Sequence, residues 1–222
     1  MSTLEFILDN HALVIFLFWE HIWIVGLALL IASVIGVPLG IYITGHEQVA
    51  TRVLNSATVL MTIPSIALFG IMLPLLSLFN MGLGKVPAVI ALVLYSQLPI
   101  IRNTYTAIRN VSSSLVDSAR GMGMNRWELL WEVELPLAIP VIIAGLRTAA
   151  VMNIGIAAIA VYIGSGGLGV LIEQGIARVY PEMILSGAIL VSVLAIVVDG
   201  LMALLERRMT PEGIKLLRNL AR

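Results

Sequence analysis

Few residues in this 222-residue chain have the types and spacing that a catalytic or ligand-binding site requires. Residues 164–169 read Gly-Ser-Gly-Gly-Leu-Gly and match the Gly-x-Gly-x-x-Gly pattern of dinucleotide-binding sites. That pattern binds a pyrophosphate where a β-strand precedes it and an acidic residue follows about twenty positions later. Glu182 lies at a suitable distance, but a long apolar helical segment precedes the glycines. The sequence therefore predicts a tight turn here and no nucleotide site.

The other reactive side chains predict no catalytic set and no metal site. His11, His21 and His46 are scattered, and no two of them flank a carboxylate at helical spacing. The chain contains no cysteine, which excludes disulfides, thiolate metal sites and a cysteine nucleophile. It also lacks the Gly-x-x-x-x-Gly-Lys-Ser/Thr phosphate loop, so hydrolysis of ATP by that route needs another chain.

Three polar residues interrupt long apolar segments: Arg147, Asn153 and Asp199. Charges inside a membrane are costly, about 2.5–3.5 kcal/mol at a helix centre, so each one is a functional hypothesis. Arg147 follows Pro136 by eleven residues, which places it about 16 Å along a helix and near mid-membrane. One interpretation is an Arg147–Asp199 ion pair that holds the bundle together. The other is that these three residues are candidates for lining a polar translocation pathway.

The amino-acid composition predicts a membrane protein, in which each charged residue inside a span is informative. Hydrophobic residues make up 59% of the chain and charged residues only 12%, with a formal net charge of zero. Soluble domains carry about a quarter charged residues, so this chain is expected to be an integral membrane protein surrounded by lipid. Zero net charge gives no indication of nucleic-acid binding, and no nucleic-acid partner is expected.

Five segments are long and apolar enough to span a membrane, which takes roughly 20 residues. They are residues 22–43, 53–79, 86–101 with an extension to about 106, 136–162 and 183–205. These continuous runs lack the alternation of barrel strands, so the fold class is all-α: a polytopic membrane helix bundle. We divide the chain into an external or interfacial segment at 1–21, a transmembrane domain at 22–205 and a tail at 206–222. Trp19 and Trp23 would then lie at headgroup depth.

The distribution of basic residues predicts the orientation of the bundle. Ten Lys or Arg residues fall on one side of the expected spans and two, Lys85 and Arg178, on the other. Because cytoplasmic loops are enriched in basic residues, the N-terminus is predicted outside and the C-terminus in the cytoplasm. The longest hydrophilic stretch, within residues 102–135, then lies in the cytoplasm.

This hydrophilic stretch carries the most specific pattern in the chain. Residues 117–123 read Asp-Ser-Ala-Arg-Gly-Met-Gly, and after nine residues Val133 is followed by Glu134, Leu135 and Pro136. The spacing resembles the signature of permease subunits of ATP-binding-cassette importers: Glu-Ala-Ala, three residues, Gly, nine residues, Ile, one residue, Leu-Pro. The sequence departs from that pattern conservatively at Asp117, Ser118 and Val133.

The resemblance implies an all-α bundle of the type I importer kind and makes residues 102–135 a coupling loop for a separate ATPase. The coupling residues it implies are Asp117, Ser118, Ala119, Arg120, Gly121, Gly123, Val133, Leu135 and Pro136. We expect a short helix over 115–120 that is ended by the glycines. In the next helix Trp127, Leu130 and Trp131 are predicted to share one face. That face would either dock on the ATPase or lie on the membrane surface.

Within this family, the chain most resembles permeases for osmoprotectants in residues 62–70, 99–104 and 119–124. The resemblance implies import of glycine betaine, choline, carnitine or a similar quaternary amine across a bacterial inner membrane. It also implies the partners: two ATPase subunits that bind ATP and Mg²⁺, a second identical or similar permease chain, and an extracytoplasmic binding protein. No cofactor is expected in this chain itself, and no enzymatic activity.

Three other functions remain open at this stage. A methionine or other amino-acid importer permease is built similarly at this length. A channel or secondary carrier that works alone would need no ATPase, and the coupling-loop pattern argues against it. A membrane enzyme is disfavoured because no catalytic set is present.

Overall fold

The computed structural model describes residues 2–210, and all regular secondary structure in this range is helical. The predicted tail at 206–222 is thus described only as far as Thr210, and its remaining residues lie outside the described range. The helices are α1 Thr3–Asp9, α2 His11–Ile43, α3 Glu47–Thr62, α4 Ser65–Ser77, α5 Lys85–Arg109, α6 Ser113–Gly121, α7 Arg126–Glu128, α8 Leu135–Ile159, α9 Gly169–Ala177 and α10 Pro181–Met209. A π-helical turn at Leu129–Glu134 joins α7 to α8, and a 3-10 turn at Ala160–Ile163 follows α8.

Four stretches of the described chain are long and apolar enough to cross a membrane, and a bent pair could supply a fifth span. The four are His11–Ile43, Lys85–Arg109, Arg126–Ile163 and Pro181–Met209, and the pair is Glu47–Thr62 with Ser65–Ser77. The prediction of an all-α membrane bundle of about five spans is therefore confirmed.

The first spanning helix begins eleven residues before the predicted start, so the expected boundary at residue 21 falls inside α2. Helix formation continues through the polar residues Glu20 and His21 because other elements provide their hydrogen-bond partners. Val14 and Leu17 are buried in the bundle core, and α1 packs on α10, where Phe6 meets Tyr180 edge to face. This segment thus contributes to the bundle.

The second predicted span, 53–79, is bent by 99° between α3 and α4. Pro64 causes the break because proline lacks a backbone N–H and disfavours helical geometry in the preceding residue. Ile63 is accordingly extended, with φ −69° and ψ 125°. The hydroxyl of Tyr95 on α5 donates to the Ile63 carbonyl, which satisfies a group that the break releases.

Helix α5 packs between α2 and α8 and forms the centre of the bundle. Gly36 and Gly40, one turn apart on α2, allow a close approach: a Cβ on Gly36 would collide with Ile100, and one on Gly40 with Thr104. Small residues at this spacing commonly form such contacts between membrane helices. The fourth and fifth predicted spans are longer than expected, since the helix through α8 begins at Arg126 and α10 extends to Met209.

The two ends of the bundle differ in chemistry. The basic end contains the end of α5 at Arg109, the coupling loop, the α2–α3 turn at Gly45 and the end of α10 at Arg207. The opposite end, here called the glycine end, contains Lys85 at the start of α5 and the turn at residues 164–168. The predicted tight turn is present there, with positive φ angles at Gly164, Gly166 and Gly167.

Candidate functional site

Helix α6 of the coupling loop ends in a defined hydrogen-bonded turn. Gly123 has a φ of +91°, which an L side chain rarely adopts, and its N–H donates to the Arg120 carbonyl over 3.0 Å. The next residue, Met124, donates to the Ala119 carbonyl over 3.2 Å. This pair of bonds is the Schellman arrangement that stops a helix at a left-handed glycine. The predicted break is therefore made by Gly123, whereas Gly121 is still helical.

A capping box starts the following helix immediately after this turn. The Asn125 side chain accepts hydrogen bonds from the N–H groups of Trp127 and Glu128, at 2.9 and 3.1 Å. In return the Glu128 carboxylate accepts from the Asn125 N–H over 2.7 Å. These two residues were not among the predicted ones, although Asn-x-x-Glu before an apolar run is a recognised helix-start signal. Together the two caps make residues 113–128 a defined helix–turn–helix unit.

Some of the predicted coupling residues are exposed, and the others are buried or half-buried against the rest of the protein. Asp117, Ser118, Arg120, Gly121 and Gly123 are exposed. Ala119 is buried, and α6 packs on the π-helical turn. Val133, Leu135 and Pro136 are half-buried where that turn passes into α8. The small Ala119 side chain thus lets α6 approach its support closely while its neighbours stay accessible.

Large apolar side chains of the coupling loop stay exposed at the basic end. Met122 is 74% exposed and Trp127 71%, and Leu115 and Trp131 are also exposed. The predicted common face of Trp127, Leu130 and Trp131 is only partly correct, because Leu130 is half-buried and packs toward the bundle. The π-helical turn at 129–134 changes the angular spacing of side chains, so the 3.6-residue period used in the prediction does not hold there.

An apolar cluster connects the coupling loop to three spanning helices. Ala107 and Ile108 of α5 and Ala138 and Ile142 of α8 form its core. Half-buried side chains from α2, the π-helical turn and α8 pack against that core: Val37, Ile41, Leu130, Leu135 and Leu146. The guanidinium of Arg126 lies beside Gly45 in the α2–α3 turn, where a Cβ would collide with it. The coupling loop is therefore packed continuously against α2, α5 and α8.

The structure pairs two of the three polar residues that the sequence placed inside spans. Arg147 on α8 donates to both carboxylate oxygens of Asp199 on α10, at 2.5 and 2.6 Å. A second carboxylate, Glu206, lies 3.5 Å from Nη1 of Arg147. The Arg147 and Asp199 side chains are 34% and 41% exposed in the single chain. They border a groove of about 500 Å³ with Ala144, Thr148, Val151 and Met152.

Asn153 lies apart from this ion pair and is fully buried between α8 and α5. Its amide nitrogen donates to the Ser96 hydroxyl over 2.8 Å, and Ser96 donates in turn to the Leu92 carbonyl. The Asn153 side-chain oxygen has no hydrogen-bond partner among residues 2–210. The structure therefore separates the three predicted pathway residues into a half-buried ion pair and a fully buried amide.

A polar cluster at the glycine end was not identified from the sequence. The Glu20 carboxylate accepts from the Gly167 N–H over 2.7 Å and contacts Lys85 Nζ at 2.7 Å. The neighbouring His21 accepts from the Leu168 N–H at Nδ1, so Nε2 carries the proton and donates to the Ile154 carbonyl. Glu20 and His21 thereby hold the glycine turn against α2. No local sequence pattern predicts these contacts: the hydrogen bonds join residues 133 or 147 positions apart in the chain, and the ion pair joins Glu20 to a residue on another helix.

These features define a multi-pass membrane protein with a capped, exposed helical loop at one end. The chain belongs to the family of binding-protein-dependent transport system inner membrane components, which matches residues 36–211. It is 50% identical to the osmoprotectant import permease protein OsmW of Salmonella typhimurium, over 97% of this chain and 100% of that protein. It is 41% identical to the glycine betaine/carnitine/choline transport system permease protein OpuCB of Bacillus subtilis, over 96% of each chain.

Solved structures show the same fold in more distant proteins. A chain of the inward-facing MetNI methionine ABC transporter superposes with a TM-score of 0.81 and 21% identity, over 91% of this chain and 99% of that one. A chain of an amino acid ABC transporter crystallised with histidines gives a TM-score of 0.74 and 22% identity, over 94% and 99%. The prediction of a type I importer permease fold is confirmed by these superpositions.

Proposed function

We propose that the chain is the membrane-spanning subunit of an ATP-driven importer that moves an osmoprotectant quaternary amine into the cytoplasm. The observation that carries this proposal is the full-length similarity to permeases named for osmoprotectants, glycine betaine, carnitine and choline. The similarity to MetNI is a similarity of fold, since the sequences are only 21% identical. It therefore does not favour methionine as the substrate.

The coupling loop is the proposed docking surface for an ATP-binding-cassette subunit, which would bind ATP and Mg²⁺. Two caps hold its helix–turn–helix shape, and its exposed apolar side chains lack protein cover in the single chain. Large exposed apolar patches commonly mark protein interfaces. Closure of the ATPase would displace this rigid unit and, through the Ala107–Ile142 cluster, the spanning helices. In this arrangement the basic end is cytoplasmic and the glycine end external.

The half-buried ion pair and the open groove beside it support a second permease chain and a shared pathway. Only 6% of the α10 span is buried in the single chain, and the groove beside Arg147 and Asp199 is open. Because charged groups are costly in hydrocarbon, this flank would face protein or water rather than lipid tails. Arg147 and Asp199 thus border the proposed pathway. Asn153 would reach it only when α5 and α8 separate, since Ser96 covers its amide.

The complete importer would contain two permease chains, two ATPase subunits and an extracytoplasmic binding protein that selects the solute. Its location in a bacterial inner membrane follows from the family. In this division of labour residues 22–205, together with the start of α2 from His11, form the translocating domain, and residues 102–135 couple it to ATP hydrolysis. Catalysis would belong to the ATPase subunits alone.

Solute uptake by intact cells tests the proposed function. The complete transporter is expressed in a strain deleted for its own osmoprotectant and methionine importers, and uptake of labelled glycine betaine, choline, carnitine and methionine is measured. We expect accumulation of at least one quaternary amine and none of methionine. Methionine accumulation alone would overturn the substrate assignment. Uptake without the ATPase subunits would indicate a channel or secondary carrier.

A further inference from the structure

An aromatic groove lies at the glycine end, outside the coupling loop and the Arg147 pair. It is lined by Phe16, Trp19, Glu20, Trp23 and Lys85 and has a volume of about 460 Å³. The three rings recur at helical spacing along α2, and Trp19 and Trp23 are 63% and 56% exposed. A volume of this size is within the range of small-molecule sites.

The groove already holds an ammonium group between a carboxylate and an indole. Lys85 Nζ lies 2.7 Å from Glu20 Oε1 and 6.0 Å from the centroid of the Trp23 ring. That distance is the limit at which a cation is attracted by the face of an aromatic ring. The position of Lys85 therefore indicates that the groove can stabilise an ammonium group.

The carboxylate in this groove has a fixed position. The second oxygen of Glu20 accepts from the Gly167 N–H, and the Glu20 side chain is only 12% exposed. A Cβ on Gly166 would collide with the same carboxylate, so the turn packs closely on it. Lys85, by contrast, is 48% exposed at its side chain and can turn toward a ligand. The groove thus combines a rigid negative group, a movable positive group and exposed aromatic faces.

We propose that this groove is a weak binding site for a zwitterionic quaternary ammonium carboxylate such as glycine betaine, a deepening that rests on the function proposed above. The ammonium of the solute lies on the Trp19 and Trp23 faces near Glu20, and its carboxylate binds Lys85. The internal ion pair is thereby exchanged for two contacts with the solute. A solute with both charges matches the groove, whereas an anionic lipid headgroup would meet the Glu20 carboxylate.

Direct binding of labelled glycine betaine tests the aromatic part of the site. The probe is equilibrated with the complete transporter, purified in nanodiscs without its binding protein. Trp23→Ala should weaken binding about tenfold, as expected for the loss of a cation–π contact, while Trp23→Phe should weaken it less. Phe79→Ala is the matched control, because Phe79 is an exposed aromatic residue outside the groove. Equal binding by wild type, Trp23→Ala and Phe79→Ala would overturn the proposal.

Lys85→Gln tests the charged part and keeps the proposal falsifiable if Trp23→Ala is poorly produced. It removes the partner of the solute carboxylate, so the KM for glycine betaine import should rise several-fold. The KM for choline, which has no carboxylate, should stay within about twofold. An equal change for both solutes, or a loss of transporter from the membrane without a change in KM, would overturn the site in favour of lipid anchoring.

These results are separable from the failure of the proposed function. If the wild-type transporter imports glycine betaine and the groove variants import it with unchanged KM, only the groove site is overturned. If the wild type imports no quaternary amine, the function proposed above is wrong. Betaine binding that depends on Trp23 and Lys85 would still support the groove in that second case.

Discussion

The guanidinium of Arg147 on α8 binds both carboxylate oxygens of Asp199 on α10, at 2.5 and 2.6 Å, and thereby joins two spanning helices. Glu206, two turns further along α10, lies within 3.5 Å of the same guanidinium. Planar, two-point pairing of this kind fixes the relative orientation of the partners as well as their distance. The pair therefore sets the register of α8 against α10.

Arg147→Leu should lower the amount of assembled transporter and its uptake rate, because Asp199 and Glu206 would lose their cationic partner. The measurement is membrane abundance by quantitative blotting together with initial uptake of labelled solute. The charge exchange Arg147→Asp with Asp199→Arg should recover part of the abundance. A stable, assembled Arg147→Leu complex with normal uptake would contradict both the register role and the pathway role of this residue.

Gly123→Val should uncouple transport, since a β-branched residue at φ +91° costs about 1–3 kcal/mol and would open the turn after α6. Uptake should fall severalfold while the permease remains in the membrane at its normal level. Gly123→Asn is the matched control, because asparagine tolerates left-handed geometry better than valine does. Similar uptake by the two variants would show that the conformation at residue 123 does not matter.

Asn125→Ala should weaken the coupling loop by about 1 kcal/mol, the usual cost of losing a helix N-cap. We expect less ATPase stimulation by the binding protein in proteoliposomes, with a smaller loss in Asn125→Asp, which keeps the accepting oxygen. A stimulation ratio that is unchanged in Asn125→Ala would mean that the capping box is not needed for coupling.

Gly40→Leu should destabilise the bundle, because its side chain would enter space held by Thr104 and the Ile101 carbonyl. Overpacking of this kind typically costs about 1–3 kcal/mol. The midpoint temperature of the purified permease should therefore fall. Gly26→Leu is the matched control on the same helix, where a Cβ meets no neighbouring atom. Equal midpoint temperatures for the two variants would show that Gly40 is not required for the close approach of α2 and α5.

The sequence predicted the spans well because membrane insertion demands long apolar runs, and such runs are local. The predicted end of α6 at its glycines is also correct, although Gly123 alone makes the terminating turn. Glycine at a helix end is likewise a local signal. The bend at Pro64 went unpredicted because the flanking runs are both apolar and read as one segment. Leu130 was assigned to the wrong face because the π-helical turn shifts the period.

The contacts of Glu20, His21 and Lys85 could not be predicted from local pattern. They depend on how α2 lies against the start of α5 and against a turn late in the chain, and packing of the whole bundle determines both positions. The same holds for the separation of Asn153 from Arg147. The two residues are six positions apart on one helix, yet they face different neighbours, Ser96 on α5 and Asp199 on α10.

Transport by the reconstituted importer tests the central claim most directly. The permease is placed in liposomes with its ATPase partner and binding protein, and labelled glycine betaine inside the vesicles is followed with and without ATP. We predict accumulation that requires ATP and falls severalfold in Gly123→Val while ATP hydrolysis continues. Accumulation that proceeds without ATP, or that is equal in Gly123→Val and wild type, would contradict a permease driven through its coupling loop.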